Sequence, residues 1–475
     1  MRQLSALDAQ FLNFETDTNV ANVGGLAILD GTVSRTGILA LLEERLPAVP
    51  QLRRRLALVP LGLDHPYWAE DAEVDLDYHV RELALPPPGD DRQLGEQVAR
   101  IHERRLDRTR PLWEMYVIQG LAVGRSAVYT KLHHAAVDGL TGAEVLAALM
   151  DPVDMDSAGP VPKPEPQPPP TLWRMLARTA MHAAASPLRL LRFAGETLPV
   201  LDQLPVVSRV PGARLLSGML RTRPLPPVPE FAAPPTPFSG PVSAHRRFVF
   251  AELSLAAVKQ VKDACGVTVN DVVMALAAAA VRQWLVDHGA LPDRPLVAGV
   301  PFSLRGKDSR RGKSGDGPGN QVTIMLTTLA THIADARERL AAVSTGMRAV
   351  KERFELTPAR WLEDLTESLP EPVNGLADRT AFELVGQTMP PVNVVVSNVP
   401  GPQFPLSVAG VRLLAHYPVS VITDVSGGLN ITAFSYDGHL DVGIIADRDL
   451  VPDVWRFPGY LRAALDELRD PVTAS

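Results

Sequence analysis

Cysteine is nearly absent: the 475-residue chain holds one, Cys265. A single thiol excludes an intrachain disulfide and a cysteine-ligated metal cluster, and it suits a reducing interior. No uninterrupted apolar run reaches the ~18 residues of an ordinary membrane span. The run Val272 to Val281 is too short to cross one. The start, Met1-Arg2-Gln3-Leu4-Ser5-Ala6-Leu7-Asp8, lacks the basic and then apolar order of a secretory signal. Neither H-E-x-x-H nor paired-cysteine spacing occurs, so no metal is expected. There is also no G-x-S-x-G nucleophile elbow. Nor is there an excess of positive charge. Lys and Arg number 47 against 54 Asp and Glu, a net charge of −7, which gives no general support for nucleic acid as a partner.

What is present is a globular composition, 46% apolar and 21% charged, long enough for two domains. Proline is plentiful at 44 residues, and its clusters mark the boundaries. Eight prolines fall between 151 and 170 and eight between 224 and 241, where they bar continuous helix and central strand. The expected organisation is a first domain over 1–150, a proline-rich and helical connector over 151–241, and a second domain over 242–475. In the first domain, Ser5 caps a short helix. Val20 to Leu29 reads as a strand, Thr36 to Leu46 as a helix and Asp90 to Arg105 as another. Pro111 to Ile118 and Ala127 to Leu132 read as a hairpin, so the sheet is mixed. In the second domain, strands are expected at Arg246 to Phe250, Leu296 to Pro301 and Asn320 to Leu329. Helices are expected at Leu255 to Asp263 and Val272 to Val286, and a hairpin turns at Asp437-Gly438. The fold class is α/β. Within the connector, 171–195 is cationic and amphipathic, with Arg174 and Arg178 one turn apart. It suits an anionic membrane surface, or a helix packed between domains with its arginines in solvent.

The chemistry concentrates in Leu132-His133-His134-Ala135-Ala136-Val137-Asp138-Gly139, at the end of a β-like run. Neighbouring strand residues point to opposite faces, so the two imidazoles do not converge on one ion. A neutral imidazole takes a proton from a hydroxyl as that oxygen attacks a carbonyl, then returns it to a leaving group. His134 is the candidate for that role, and His133 is expected to be structural. Asp138 either partners the base or pairs with an arginine to shape the loop, and Gly139 permits the tight turn. With no nucleophile elbow, direct transfer from an activated donor is simpler than a covalent acyl-enzyme. Asn270 is a candidate amide donor to the oxyanion or, alternatively, a helix N-cap, with Asp271 organising the same helix start. The basic loop residues Arg305, Lys307, Arg310 and Arg311 are candidates for a donor's phosphates or are simply a solvated loop.

The H-H-x-x-x-D-G pattern at His133 to Gly139 resembles the bacterial wax ester synthase/acyl-CoA:diacylglycerol acyltransferase family. That family lies within the chloramphenicol acetyltransferase-like, CoA-dependent acyltransferases. The likeness extends to Leu4-Ser5-Ala6-Leu7-Asp8-Ala9-Gln10-Phe11-Leu12, to Pro111-Leu112-Trp113-Glu114 and to Thr268-Val269-Asn270-Asp271. It continues in Ser397-Asn398-Val399-Pro400-Gly401-Pro402, Leu429-Asn430-Ile431-Thr432 and Ala446-Asp447. The resemblance implies two chloramphenicol acetyltransferase-like domains, each a mixed sheet with flanking helices, and a site at their interface. It implies His134 as general base, a structural Asp138 and a site role for Asn270. Pro111, Leu112, Trp113, Ser397, Asn398 and Gly401 would bind substrate or shape the pocket. No cofactor is tightly bound, and acyl-CoA is a co-substrate. The acceptor would be diacylglycerol, or a long-chain alcohol giving a wax ester, or another hydroxylated lipid. The expected location is cytoplasmic, peripheral at the inner face of the cell membrane or on lipid droplets. A catalytically silent lipid-binding protein of the membrane periphery is the non-enzyme alternative, and the complete histidine motif argues against it.

Overall fold

Caps and tight turns in the sequence set where the elements begin and end. The computed structural model describes residues 2–71, 73–137, 149–153, 171–181, 215, 218–219, 233–303, 322–356 and 392–470. The first half runs β1 (Arg2–Gln3), α1 (Ala6–Asn13), β2 (Asn22–Leu29), α2 (Arg35–Arg45), β3 (Arg54–Ala57) and β4 (Tyr67–Glu70). It continues with α3 (Leu76–His79), β5 (Val80–Ala84), α4 (Asp91–His102), β6 (Trp113–Gln119), β7 (Ser126–His133) and the short β8 (Asp151–Pro152). Ser5 caps α1 by accepting the Asp8 N–H, as its position predicts. Asp90 and Gln93 close a full capping box on α4.

The second half holds β9 (Arg246–Ser254), α5 (Leu255–Cys265), α6 (Val269–Asp287), β10 (Leu296–Ser303), β11 (Val322–Leu329) and α7 (Ala336–Leu356). Then come β12 (Val394–Pro400), β13 (Leu406–Val408), β14 (Val411–Val419), β15 (Leu429–Tyr436), β16 (His439–Asp447) and α8 (Phe457–Arg469). The β15–β16 hairpin turns on Asp437 and Gly438, both at positive φ (41° and 86°), the conformation a two-residue turn requires.

These strands build two large mixed sheets. One has the order β11-β10-β12-β15-β16-β9, and the other β5-β6-β7-β2-β14-β13-β8, beside a small sheet β1-β4-β3. Helices α5 to α8 cover the outer face of the six-stranded sheet in one apolar core. Helix α2 covers the outer face of the seven-stranded sheet through Ile38 and Leu42. A third core lies between the halves, where Leu26, Tyr129 and α4 meet Phe248, Tyr417 and Ile445. Strand β2 is thus buried on both faces, with Leu26 and Ile28 turned to the inner core and Ala27 and Leu29 to the outer one.

Strand β14, from the stretch 242–475, lies in the sheet of the first half. It pairs antiparallel with β2, with Tyr417 opposite Leu26. No alternation in Val411–Val419 marks it as a partner for a strand nearly four hundred residues earlier. Side chains clamp the joint. Asn19 and Asp424 exchange hydrogen bonds at 2.9 Å in both directions. The His102 Nε2–H donates to the Ser420 carbonyl at 3.0 Å, which leaves its Nδ1 to accept the Tyr129 hydroxyl at 2.6 Å. Burial holds the His102 ring neutral, with its pKa lowered to about 3. On the far side of β14, the buried Asp441 carboxyl group accepts the His416 N–H at 2.7 Å, and burial raises its pKa to about 8, which favours its neutral form.

Helix α6 starts earlier than the apolar run Val272 to Val281 suggests and reaches 19 residues, long and apolar enough to cross a membrane. Yet 72% of that span is buried inside the protein, packed on the six-stranded sheet, so it serves as a core helix. Residues 172–181 form a helix docked on the first half. Met175 packs with Val59 and Tyr67, and the Thr179 hydroxyl donates to Asp64 at 3.2 Å. Residues 154–170 and 220–232, which hold most of the two proline clusters, lie outside the described residues.

Two glycines let the halves approach. A Cβ on Gly443 would lie 1.7 Å from the Pro418 carbonyl oxygen, and one on Gly95 2.4 Å from that of Phe248. Gly443→Ala is therefore expected to force β16 away from β14 and cost about 3 kcal/mol. The exposed Gly459 sits in α8 with open space at its Cβ position. Gly459→Ala should instead stabilise the fold by roughly 0.5–1 kcal/mol. Denaturant titration of both variants checks the opposite signs.

Candidate active site

Strand β7 enters the site as a fully buried ladder, paired to β6 on one side and β2 on the other. Its last residue, His133, is 1% exposed. The His133 backbone N–H donates to the Leu112 carbonyl at 3.0 Å, and His134 donates to the Ala21 carbonyl at 2.8 Å. The chain then turns, with the Ala136 N–H bonded back to the His133 carbonyl. His134 is half-buried at the strand end. Phe11 of α1 lies flat on its imidazole, with ring centres 4.0 Å apart and planes 10° from parallel.

The two imidazoles have different environments. The Ala135 N–H points at His133 Nδ1 from 3.0 Å, which requires a lone pair there and places the ring proton on Nε2. That Nε2 faces the Glu15 carboxylate at 3.5 Å, and both side chains are 1% exposed. Glu15 also accepts the Ala21 N–H at 3.2 Å and the Arg108 guanidinium at 2.8 Å. Burial works to raise the Glu15 pKa. The His133 ring and then Arg108 outweigh it and lower the pKa to about 2. His133 is thus locked in a fully buried contact, while His134 is only partly buried.

Pro111, Leu112 and Trp113 run beside the histidine end of β7, with Trp113 paired opposite Leu132. Leu112 supplies the carbonyl for His133, and the buried Trp113 indole donates to the Leu52 carbonyl at 2.8 Å. His79 stacks on Trp113 at 4.3 Å. The next residue, Glu114, anchors a polar group that the sequence did not reveal. Lys131 has no exposed surface and donates to the Ile101 carbonyl at 3.0 Å, with Glu114 3.6 Å away. Burial lowers its pKa to about 8, and Glu114 partly offsets that. Tyr116 and Arg81 complete the carboxylate's partners. Lys131 sits in a strand that reads as apolar, and only its tertiary surroundings satisfy it.

The second half carries the remaining motif residues. Thr268, not Asn270, is the N-cap of α6, and Asp271 completes a capping box with it. The Asp271 carboxylate also accepts the Ser344 hydroxyl at 3.3 Å, so it serves the helix start. Asn270, the second residue of the helix, is half-buried and has no part in that box. Ser397 and Asn398 lie half-buried on β12, opposite Thr432 and Ala433 of β15. Gly401 follows where a Cβ would lie 2.3 Å from the Phe434 ring, so only glycine passes there. Asp138 and Gly139 lie outside the described residues, as do Arg305, Lys307, Arg310 and Arg311. Among the described residues no group of His, Cys, Asp and Glu could hold a metal.

A small apolar pocket of about 20 Å³ opens between α2 and the seven-stranded sheet, lined by Ala27, Leu42, Met115, Val128, Thr130 and Met150 among others. Gly25 borders it, and the His416 ring occupies the place its Cβ would take.

Comparisons with known proteins agree from end to end. The wax ester synthase/diacylglycerol acyltransferase catalytic domain matches residues 4–273, and the WS/DGAT C-terminal domain matches 318–469. The probable diacylglycerol O-acyltransferase tgs2 of Mycobacterium tuberculosis is 36% identical over 474 residues, covering 98% of each chain. The solved wax ester synthase/diacylglycerol acyltransferase from Marinobacter aquaeolei VT8 is 28% identical, with a TM-score of 0.68 over 98% of both chains. The first condensation domain of the CDA synthetase shares the fold alone, at 16% identity and a TM-score of 0.54 over 99% of this chain and 97% of its own.

The buried Glu15 gives a measurable pH signature. Its pKa is depressed from an ordinary 4.5 to about 2, so its stabilisation is complete above 4.5 and is lost as pH falls toward 2. Glu15→Gln should cost on the order of 1–3 kcal/mol at pH 7, and the gap between variant and parent should close by about pH 2. Chemical denaturation across that range reads it directly.

Proposed function

The chain belongs to the wax ester synthase/diacylglycerol acyltransferase family, and from that premise we propose that it moves a long-chain acyl group from acyl-CoA to diacylglycerol. The products are triacylglycerol and free CoA. The observation that carries this reading is the end-to-end match to an enzyme named for that acceptor, combined with one open and one locked histidine at the end of β7. His134 takes the proton of the acceptor hydroxyl, and the oxygen attacks the thioester carbonyl. The tetrahedral intermediate collapses, the C–S bond breaks, and the departing CoA thiolate collects the proton from the imidazolium. His133 is unsuited to this work, since its Nδ1 already accepts the Ala135 N–H and its Nε2 faces a buried carboxylate.

Asn270 offers its amide to the oxyanion. Its freedom from the capping box supports this role, because a cap would have engaged its side chain. Asp138 shapes the loop behind the base, and Gly139 allows the turn. Pro111, Leu112 and Trp113 shape the floor of the pocket, and Ser397, Asn398 and Gly401 its far wall. Arg305, Lys307, Arg310 and Arg311 meet the phosphates of CoA. The apolar lining of the small pocket beside β7 supports a path for a fatty chain along this face of the strand. Thr130, on its wall, stands four residues before His134, roughly 13 Å along the strand at 3.3 Å per residue. Each methylene buried there contributes about 0.8 kcal/mol, which favours long chains and separates neighbouring lengths weakly.

Diacylglycerol resides in membranes, so the enzyme works at an anionic lipid surface, at the inner face of the cell membrane or on lipid droplets. Support comes from the helix at 172–181 and the adjoining loop. Trp173 is 78% exposed and Leu61 92%, with Leu58, Leu172 and Met181 also exposed beside Arg174 and Arg178.

Two measurements test these assignments. Purified protein is given acyl-CoA with diacylglycerol, hexadecanol or a long-chain amine, and free thiol and lipid product are followed. Diacylglycerol should support the fastest turnover, and His134→Ala should lower it by about 10²–10⁴-fold. Undiminished turnover in that variant rules out the base assignment. In vesicle flotation, the parent protein should rise with anionic phospholipid vesicles, and the Leu61→Asp, Trp173→Ala double variant should bind about tenfold less or weaker. Equal flotation would remove this surface from the account.

A further inference from the structure

The motif that opens the chain, Leu4 to Leu12, has no part in the reaction as described, yet its helix packs against the reacting end of β7. Phe11 covers one face of the His134 imidazole, near-parallel at 4.0 Å. Just beyond the helix, Glu15 accepts the N–H of Ala21, while the carbonyl of the same Ala21 accepts the N–H of His134. Ala21 is fully buried, so its peptide links are tied on both sides and shielded from water. Glu15 also faces His133, the residue just before the base. Arg108 closes the arrangement by donating to both Glu15 and the Leu12 carbonyl, which binds the end of α1 to the carboxylate. One short segment, residues 6–15, therefore holds the ring of His134 by its face and the backbone of His134 through Ala21.

A general base transfers a proton only when its ring is held in one orientation toward the acceptor hydroxyl. A displacement of about 1 Å at the reacting atom can cost about 10²-fold in rate. We propose that Phe11 and Glu15 are positioning residues for His134, Phe11 setting the plane of the imidazole and Glu15 setting the backbone from which it hangs. This inference rests on His134 being the base. It makes the aromatic character at position 11 matter, since a stacked ring presents a flat surface and an aliphatic chain of similar volume does not.

The test compares Phe11→Leu, Phe11→Met, Phe11→Tyr, Glu15→Gln and His134→Ala in the full chain, with acyl-CoA and diacylglycerol as substrates. Phe11→Leu should lower kcat by about 10–100-fold while KM for acyl-CoA stays within about twofold and the melting temperature is kept. Phe11→Tyr, which keeps the ring, should restore most of kcat. Glu15→Gln should lower kcat by about tenfold with the same unchanged KM. A Phe11→Leu enzyme that folds and keeps the parent kcat overturns the stacking role. If the Leu and Met variants lose melting temperature in step with kcat, the ring is structural filler and the proposal falls as well. His134→Ala separates the two levels. An active His134→Ala enzyme removes the base assignment itself, whereas an inactive one beside a fully active Phe11→Leu enzyme removes only the positioning role.

Discussion

The backbone ladder from β7 through β2 to β14 is the constraint on which the rest of the structure depends. Its hydrogen bonds put His133 opposite Asn22 and His416 opposite Ala27, and the His134 N–H adds one more bond to Ala21 beyond the strand. A shift of one residue would turn every side chain of β2 to the wrong core, because that strand is buried on both faces. The register that places the histidines is thus the register that packs the protein. The crossing of β14 makes the same ladder a joint between the halves, and Gly95 and Gly443 let the two sheets close on it.

The two adjacent imidazoles at the strand end have different surroundings. His133 meets a donor at one nitrogen and a carboxylate at the other, in a space closed to water. His134 is half-exposed and held by a ring face and a backbone bond. The histidine that is fully buried supports the one that is not. Elsewhere the buried ionisable groups are similarly satisfied. Lys131 meets Glu114 and a carbonyl, and His102 is kept neutral between a hydroxyl and a carbonyl of the other half. These groups give the interior a specific arrangement in which an unpaired charge would be costly.

Much of the local structure was legible because its causes are local. The caps at Ser5, Asp90 and Ser254, the β6–β7 hairpin and the turn at Asp437-Gly438 all follow from residues within a few positions of one another. Helix α6 begins before its apolar run because Thr268 and Asp271 start it. Strand β14 and the short strands β4 and β5 escaped notice. Their pairing depends on partners far away in the chain, and a short strand without its neighbour has no distinctive pattern.

By itself the sequence determined the reading of the chemistry. The histidine motif, with no nucleophile elbow, metal spacing or second cysteine, is a covalent fact and survives any folding. It also determined the family, since motifs spread from Leu4 to Asp447 are properties of order alone. Only the tertiary structure decided which histidine is locked and which stands open. That depends on Glu15, Phe11 and Ala21, none of which is marked in the linear chain as a neighbour of β7. The physical reason is that caps and turns act over a few residues, whereas burial, stacking and ion pairing act between surfaces that exist only once the two sheets have met.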